Sequence, residues 1–166
     1  LPSIVHEQNA VLGRVNRWLS PAVTRIASGF PRLANLDSVL AKRVAVTGNP
    51  VRAAVLDVRR PYVAPTGEGR FNLLVFGGSQ GARVFSTLVP EAIAKLTEAL
   101  RQRLDLTQQC RPEDLEAARA RYAAMGLTPA LAPFFGDMGE RLASAHLVIS
   151  RAGASTRGKE SQALRP

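Results

Sequence analysis

The glycine-rich turn Gly-Gly-Ser-Gln-Gly at residues 77–81 is the stretch of this sequence best suited to binding an anion. It follows the apolar run Leu73–Phe76 and precedes a helical pattern, so it leaves a predicted buried strand and enters a predicted helix. Glycines let backbone N–H groups approach a ligand closely, and a helix N-terminus carries partial positive charge, which suits phosphate. The turn is neither a P-loop nor the dinucleotide fingerprint. Taken alone, it is equally well interpreted as a plain tight turn.

A second turn of this kind, Arg-Ala-Gly-Ala-Ser-Thr, occupies residues 151–156 and follows the strand-like run 146–150. Arg151 stands beside Gly153, and arginine offers a fork of donors to phosphate or another oxygen-rich ligand. In a parallel sheet, ligands bind outside the carboxyl ends of the strands. Two glycine turns at strand ends therefore predict a nucleotide site, which neither turn predicts alone.

The elements that must position these turns alternate between strand and helix patterns along the chain. Such alternation is typical of βαβ units and a mostly parallel sheet, so the predicted fold class is α/β. Predicted strands cover residues 1–5, 24–30, 43–48, 71–76, 104–109, 130–135 and 146–150, and predicted helices cover 10–19, 81–100, 112–125 and 138–145. The stretch 58–70, with proline, glycine and charge, predicts a linker or long loop.

Four side chains that could do chemistry have simpler structural interpretations. Trp18 lies on an apolar stripe of the first predicted helix, which favours a core position over a membrane anchor. Asp137 stands where its carboxylate could cap the helix 138–145. His146 is interpreted as structural, and Cys110, the one cysteine, as a structural or idle thiol.

Composition and charge restrict the class of protein. The 166 residues are 46% hydrophobic and 21% charged, which suits a globular protein with a buried core. No run approaches the roughly 20 apolar residues of a membrane-spanning helix. The net charge of +9 suits a nucleic acid, an anionic membrane or a solvated basic surface. The basic residues are scattered and aromatics do not interleave with them, so nucleic-acid binding is not favoured over a solvated surface.

Five motifs in order give the sequence a specific resemblance. It closely resembles the MurG family, the N-acetylglucosaminyltransferases that make lipid II in bacterial peptidoglycan synthesis, through "HEQNAVLGRVN", "TGNPVR", "FGGSQGAR", "FFGDM" and "VISRAGAST". The resemblance implies an α/β fold of GT-B type, with two Rossmann-like domains and mostly parallel sheets, both incomplete here. It assigns 1–60 to the C-terminal part of an acceptor-binding domain, 61–70 to a linker, and 71–166 to the N-terminal part of a UDP-sugar donor-binding domain.

The resemblance also implies a reaction, the inverting transfer of N-acetylglucosamine from UDP-N-acetylglucosamine to the lipid-linked muramyl-pentapeptide, lipid I. No cofactor and no metal are implied, and no nucleic-acid partner. The general base is expected upstream of Leu1, so the chain looks truncated and is expected to be inactive alone. The implied location is the cytoplasmic face of the inner membrane, peripherally, on an anionic surface.

Other functions stay open beside this resemblance. One is another GT-B enzyme such as a UDP-sugar epimerase, against which the "HEQN" motif argues. A non-catalytic nucleotide-binding module would suit the missing base. A basic nucleic-acid binder would show steeply salt-dependent binding without preference for a UDP-sugar.

By resemblance, the first glycine turn holds the diphosphate of the donor through Gly78, Ser79 and Gln80. Arg52 would lie near the same leaving group, where negative charge develops as UDP departs. Without the resemblance, Arg52 could be a surface residue at a helix start.

The nucleoside is implied to lie between the last two motifs. Phe135 would pack at the uracil, with its backbone reading the base edge, and Met138 follows it. The residues implied to line the phosphate and nucleoside on the other side are Arg151, Ala154, Ser155 and Thr156. Phe135 could equally be core. The family's usual ribose-binding glutamate is replaced by Lys159, with Glu160 next to it, so this segment is expected to bind ribose poorly.

On the acceptor side, the resemblance assigns His6 and Glu7 to the acceptor face of a cleft and Asn9 to the donor sugar. The structural alternative is that "HEQN" is only a hydrogen-bonded turn between a strand and a helix.

Overall fold

The computed structural model describes residues 1–58, 60–78 and 83–151, which fall into two compact units. The first unit is Leu1–Arg52, and the second begins at Ala53. Every strand pair of the described residues is parallel, which confirms the predicted α/β class with mostly parallel sheets. The predicted domain limits at residues 60 and 70 stay a prediction.

The first unit is a three-stranded parallel sheet in the order β1-β2-β3. Its elements are β1 (Ile4–Glu7), α1 (Arg14–Leu19), β2 (Arg25–Ser28), α2 (Ser38–Ala41) and β3 (Val44–Val46). The core is formed by Val5, Ile26 and Leu40. Helix α2 begins where the Asp37 carboxylate accepts hydrogen bonds from the N–H groups of Val39 and Leu40, at 2.9 and 2.8 Å. These bonds satisfy donors that a helix start leaves free.

The second unit is a four-stranded parallel sheet in the order β6-β5-β4-β7. Its elements are α3 (Ala53–Leu56), β4 (Phe71–Phe76), α4 (Phe85–Ala94), α5 (Glu98–Gln102), β5 (Leu104–Gln109), α6 (Leu115–Ala123), β6 (Ala130–Ala132), α7 (Met138–Ser144) and β7 (Leu147–Ser150). Its core contains Leu73, Val75, Val89, Ile93, Leu106, Cys110, Ala118 and Tyr122. The last four residues of β4 are all buried, as the predicted continuous apolar strand requires.

Strand β4 is where the order of the second sheet reverses. The strands β5 and β6 extend the sheet on one side of β4, whereas β7 lies on the other side. Such a reversal opens a crevice outside the carboxyl ends of the strands, which is the usual ligand position in open α/β sheets. The first glycine turn leaves β4 at this point.

The first predicted helix, residues 10–19, is wrong in its start and in the role of its apolar stripe. Helix α1 begins only at Arg14, after an extended Gly13 (φ −64°, ψ 155°). Trp18 is 80% exposed, so it is not a core residue. The cause lies in Glu7, whose carboxylate binds the N–H group of Gly13 and keeps the preceding residues in a loop.

The predicted helix over 81–100 is two helices, α4 and α5, in the described part of this range. Thr97 separates them, because its Oγ1 accepts a hydrogen bond from the N–H of Leu100 and begins α5. The helix predicted over 112–125 opens as a 3-10 turn and continues as α6. Gly126 follows its end with φ +71°, as predicted for a glycine stop.

The structural interpretations of His146 and Cys110 are confirmed. The Nδ1 atom of His146 accepts a hydrogen bond from the N–H of Asn72 at 2.8 Å, and its ring contacts Phe71. Cys110 is 1% exposed, and burial raises the pKa of its thiol. Within the part of the chain that the structure describes, no helix has the length and apolar character needed to cross a membrane.

Candidate functional site

The carboxyl edge of the first sheet brings the two N-terminal motifs together. His6 on β1 has its Nε2 atom 3.1 Å from the carbonyl oxygen of Gly48, which follows β3. Asn49 donates from its Nδ2 to the carbonyl oxygen of Gln8 at 3.1 Å. The motifs "HEQN" and "TGNPVR" therefore share one edge of the sheet, and the exposed Arg52 ends the same unit.

Gly29 lies between these motifs at the end of β2 and has no room for a side chain. Its N–H donates to the carbonyl oxygen of Glu7 at 2.8 Å, and a Cβ atom here would overlap the side-chain amide of Asn49. A larger residue would push Asn49 away from Gln8. Gly29 was not predicted as a site residue, although a glycine at the end of a predicted strand marks a close backbone approach.

Glu7 is the centre of the "HEQN" loop. Its carboxylate, in a residue 3% exposed, accepts hydrogen bonds from the N–H and Nδ2 of Asn9, the N–H of Gly13 and the Nδ2 of Asn16, all at 2.8–2.9 Å. Burial by itself raises the pKa of this carboxyl, but the hydrogen bonds from Gly13, Asn16 and Asn9 outweigh burial and lower the pKa. Glu7 is thus ionised at neutral pH and holds the exposed Asn9 in place. Its predicted contact with an acceptor stays a prediction.

The carboxyl edge of the second sheet places the starts of the two glycine turns side by side. Phe76 and Ser150, the last residues of β4 and β7, are partners in the parallel ladder. Gly78 then adopts φ +87°, a conformation that side chains rarely take, and the space beyond its Cα is open. The exposed Arg151 directly follows β7. Gly78 and Arg151 thus begin neighbouring loops at one edge, as two turns of one nucleotide site require.

The remaining residues of these turns are not part of the described structure. The predicted site residues that lie outside it are Ser79, Gln80, Ala154, Ser155 and Thr156, together with Lys159 and Glu160. Their roles stay predictions.

The loop between β6 and α7 carries two aromatic rings in different environments. Phe135 is 9% exposed, and the guanidinium carbon of Arg141 lies 4.4 Å from the centre of its ring. Phe134 is 72% exposed, and Met138 is partly buried at the start of α7. Phe134 was not predicted as a site residue, and its only signal in the sequence was its place in the pair of phenylalanines. The predicted packing of Phe135 at the uracil stays a prediction, but Phe134 is the ring that this loop exposes.

The predicted helix cap at Asp137 is wrong. Asp137 occupies the N-cap position of α7, but its carboxylate makes no capping hydrogen bond to the backbone. Its Oδ1 instead accepts a hydrogen bond from the Nε of Arg141 at 2.9 Å, which lowers the pKa of Asp137. The cause is the charged fork of Arg141 one turn along the helix, which competes with the neutral N–H groups for the carboxylate.

Two adjacent glutamines at the end of β5, which were not predicted as site residues, support this edge. The buried Gln109 donates from its Nε2 to the carbonyl oxygen of Pro133 at 2.9 Å, at the start of the aromatic loop. The fully buried Gln108 donates to the carbonyl oxygen of Phe85, the first residue of α4, at 3.1 Å. Its Oε1 accepts from the hydroxyl of Tyr122, whose pKa is raised by burial. The signal for this pair was two polar residues ending a predicted buried strand.

The described ranges contain no group of three or more His, Cys, Asp or Glu side chains that could hold a metal ion. The donors found at the two carboxyl edges are N–H groups, amides and arginines, which suit oxygen-rich anions.

Comparisons with known proteins point to one family. The family profile "Glycosyltransferase family 28 C-terminal domain" matches residues 72–157. A protein of Rhodospirillum centenum is 53% identical over 167 residues, covering 100% of this chain and 44% of its own length. A protein of Paramagnetospirillum magneticum is 54% identical over 157 residues, covering 94% of this chain and 42% of its own length. Both are named UDP-N-acetylglucosamine–N-acetylmuramyl-(pentapeptide) pyrophosphoryl-undecaprenol N-acetylglucosamine transferase.

A solved structure agrees with the sequence relatives. The crystal structure of MurG from Acinetobacter baumannii superimposes with a TM-score of 0.68 and 30% identity, covering 93% of this chain and 41% of that one. The chain therefore spans less than half the length of these relatives.

Proposed function

Because the chain belongs to the MurG family, within glycosyltransferase family 28, we propose that it serves the transfer of N-acetylglucosamine to a lipid-linked muramyl-pentapeptide. The donor in this proposal is UDP-N-acetylglucosamine, and the product is lipid II. The second unit takes the donor, and the first unit takes the acceptor.

One observation carries the proposal for the donor. The partnership of Phe76 with Ser150 makes Gly78 and Arg151 begin adjacent loops at the carboxyl edge of the second sheet. A diphosphate needs several donors that converge from more than one segment, and backbone N–H groups with an arginine supply them. Ser79 and Gln80 would continue the first loop, and Ala154, Ser155 and Thr156 the second.

The donor's nucleobase is assigned to the loop that follows β6. Phe134 offers an exposed aromatic face on which a base can stack. The backbone N–H and carbonyl of Phe135 would read the base edge. Met138 would add apolar contact at the start of α7.

The donors at the carboxyl edge of the second sheet would act by stabilising the leaving group, UDP. As the acceptor hydroxyl loses its proton to a general base and attacks the anomeric carbon from the opposite face, the bond to UDP breaks and negative charge grows on the diphosphate. The N–H groups of the first glycine turn, with Arg151, would stabilise that charge more than the charge of the ground state. The role of Arg52 near the same leaving group stays a prediction. No metal or cofactor has a step in this scheme.

On the acceptor side, the rigid "HEQN" loop would present Asn9 to the donor sugar and His6 to the acceptor. The support is that the Glu7 carboxylate fixes the Asn9 backbone and amide, while the ring of His6 is held at Gly48. Fixed positions of this kind reduce the entropy lost on reaching the transition state.

Peripheral association with the cytoplasmic face of an anionic inner membrane is part of the proposal. Its support is helix α1, where Val15 and Trp18 are 68% and 80% exposed. They stand one turn apart, and the exposed Arg14 and Arg17 have the same spacing. Apolar side chains beside arginines suit the boundary between lipid headgroups and acyl chains.

The experiment that tests the transfer is a chimera in which these 166 residues replace the matching segment of the Rhodospirillum centenum relative. We expect the chimera to form lipid II from lipid I and UDP-N-acetylglucosamine, with kcat/KM within about tenfold of its parent. A folded chimera that neither binds UDP nor forms lipid II, beside an active parent, would contradict the proposal.

A further inference from the structure

Arg141 of α7 contacts three groups with one side chain. Its Nε donates to the Oδ1 of Asp137 at 2.9 Å, and its Nη1 donates to the Oγ1 of Thr107 at 3.0 Å. The same guanidinium lies over the ring of Phe135, with the central carbon 4.4 Å from the ring centre. Two of these partners belong to the loop after β6, and the third belongs to β5. The side chain therefore fastens this loop to the sheet.

The other end of the loop is fastened from the same strand. Gln109, two residues after Thr107 on β5, donates to the carbonyl oxygen of Pro133. The backbone from Pro133 to Asp137 is thus tied to β5 at both ends. Only Arg141 reaches the ring of Phe135 among these ties, and a planar guanidinium is the group that can stack and donate sideways at once.

We propose that Arg141 is a positioning residue that sets which nucleobase the loop accepts, without itself touching the nucleotide. This inference rests on the proposed function, which assigns the base of the donor to Phe134 and Phe135. The Arg141 side chain is 29% exposed, and its guanidinium contacts Asp137, Thr107 and Phe135.

Selectivity follows from the chemistry of a base edge read by backbone. Uracil presents an N3–H donor between two carbonyl oxygens, whereas cytosine presents an N3 acceptor beside an amino donor. A backbone N–H and carbonyl at fixed positions match one pattern and oppose the other, and an unmatched polar group costs more than a matched one gains. If the loop loosens, its backbone can shift to suit either base. The preference for uracil over cytosine then falls more than the affinity for the nucleotide itself.

The test uses the chimera and measures the dissociation constants of UDP and CDP by calorimetry, with the thermal unfolding midpoint of each variant. In Arg141→Ala we expect the preference for UDP over CDP to fall roughly tenfold, as for one displaced hydrogen bond. Arg141→Lys keeps the charge beside Asp137 but loses the stacked fork, so we expect it to lose selectivity too. Arg121→Ala is the matched control, because this exposed arginine of α6 forms a 3.9 Å ion pair with Glu91.

A milder variant provides a second measurement in case the Arg141 variants fold poorly. Thr107→Val removes the hydroxyl that accepts from Arg141 while keeping the shape of the side chain, and we expect a smaller loss of selectivity, about two- to threefold. Variants of Arg141 that lower the unfolding midpoint but keep the ratio of the two dissociation constants would overturn the inference. An unmutated chimera that does not bind UDP would contradict the proposed function itself, which is a separate result.

Discussion

Phe76 and Ser150 are neighbours in the sheet although they are far apart in the sequence, and each is the last residue of its strand. The loops that follow these two residues therefore start on neighbouring strands, about 5 Å apart. A diphosphate is large enough to contact both loops. Each glycine turn alone is a weak indication of a ligand, but their adjacent positions indicate one shared site. Gly78, with its positive φ, is the residue at which this site can be tested.

Gly78→Ala is predicted to weaken donor binding beyond its cost in stability. Gly78 has φ +87°, so an alanine should cost about 1 kcal/mol of folding free energy through strain, and its methyl group would also hinder a phosphate. Gly126 is a matched control, since it has φ +71° with similarly open space but lies at the end of α6. In the chimera, both variants should lose similar stability, and only Gly78→Ala should raise KM for UDP-N-acetylglucosamine. Equal KM values would argue against a diphosphate at this turn.

Glu7→Gln is predicted to destabilise the chain at neutral pH by about 1–3 kcal/mol, because an amide cannot accept from all the donors that surround this buried carboxylate. The pKa of Glu7 is lowered on folding from its ordinary 4.5, so its contribution is fully present above that pH and is lost as the pH falls through the lower folded value. The stability difference between wild type and variant should therefore shrink in acid. Denaturant unfolding across this pH range measures it.

Glu68→Gln serves as the control for this substitution, since Glu68 is an exposed carboxylate in the segment between α3 and β4. At neutral pH its variant should stay within about 0.5 kcal/mol of the wild type. A stability difference for Glu7→Gln that stays constant into acid would mean that the carboxylate is not ionised in the folded chain.

The two carboxyl edges differ in how far the sequence predicted them. The strand before Gly77 was predictable, because a buried apolar run that stops at glycines is a local signal. Phe76 and Ser150 could be expected at one edge, because parallel strands end together. The hydrogen bonds of Glu7 could not be predicted, since they depend on a loop that brings Gly13 and Asn16 back onto the end of β1.

Side-chain competition explains the predictions that were wrong. Asp137 has the spacing of a helix cap, but Arg141 offers it a charged partner, and only the folded loop shows which donor prevails. Trp18 fits an apolar stripe, but the helix starts late and leaves the ring exposed. In both cases the local pattern was compatible with two outcomes, and a side-chain hydrogen bond, from Arg141 to Asp137 or from Gly13 to Glu7, decided between them.

Phe134→Ala is predicted to weaken UDP binding with little effect on stability, whereas Phe135→Ala is predicted to lower stability. Phe134 is 72% exposed, so its removal should change the folding free energy by no more than about 0.5 kcal/mol. It should weaken UDP binding roughly tenfold, as for loss of a ring that stacks on a base. Phe135 is buried beneath Arg141, so Phe135→Ala should cost about 2–4 kcal/mol of stability. Calorimetry with UDP and thermal unfolding of the chimera measure both. Unchanged UDP affinity in folded Phe134→Ala would remove this ring from the site.

Trp18 provides a direct optical test of the membrane surface, because it is the only tryptophan of the chain. Its ring is 80% exposed on α1 beside Arg14 and Arg17, so insertion among lipid headgroups should shift its fluorescence to shorter wavelength. We expect the shift with phosphatidylglycerol vesicles, little shift with phosphatidylcholine vesicles, and reversal by added salt, which screens the arginines.

Replacing Arg14 and Arg17 together by glutamine should weaken vesicle binding by about 1 kcal/mol for each charge, or roughly thirtyfold in all. The same charge change at Arg119 and Arg121, both exposed on α6, is the control and should have a much smaller effect. Vesicle sedimentation without any change in Trp18 fluorescence would show that lipid binds a different face, because the ring reports only on its own surroundings.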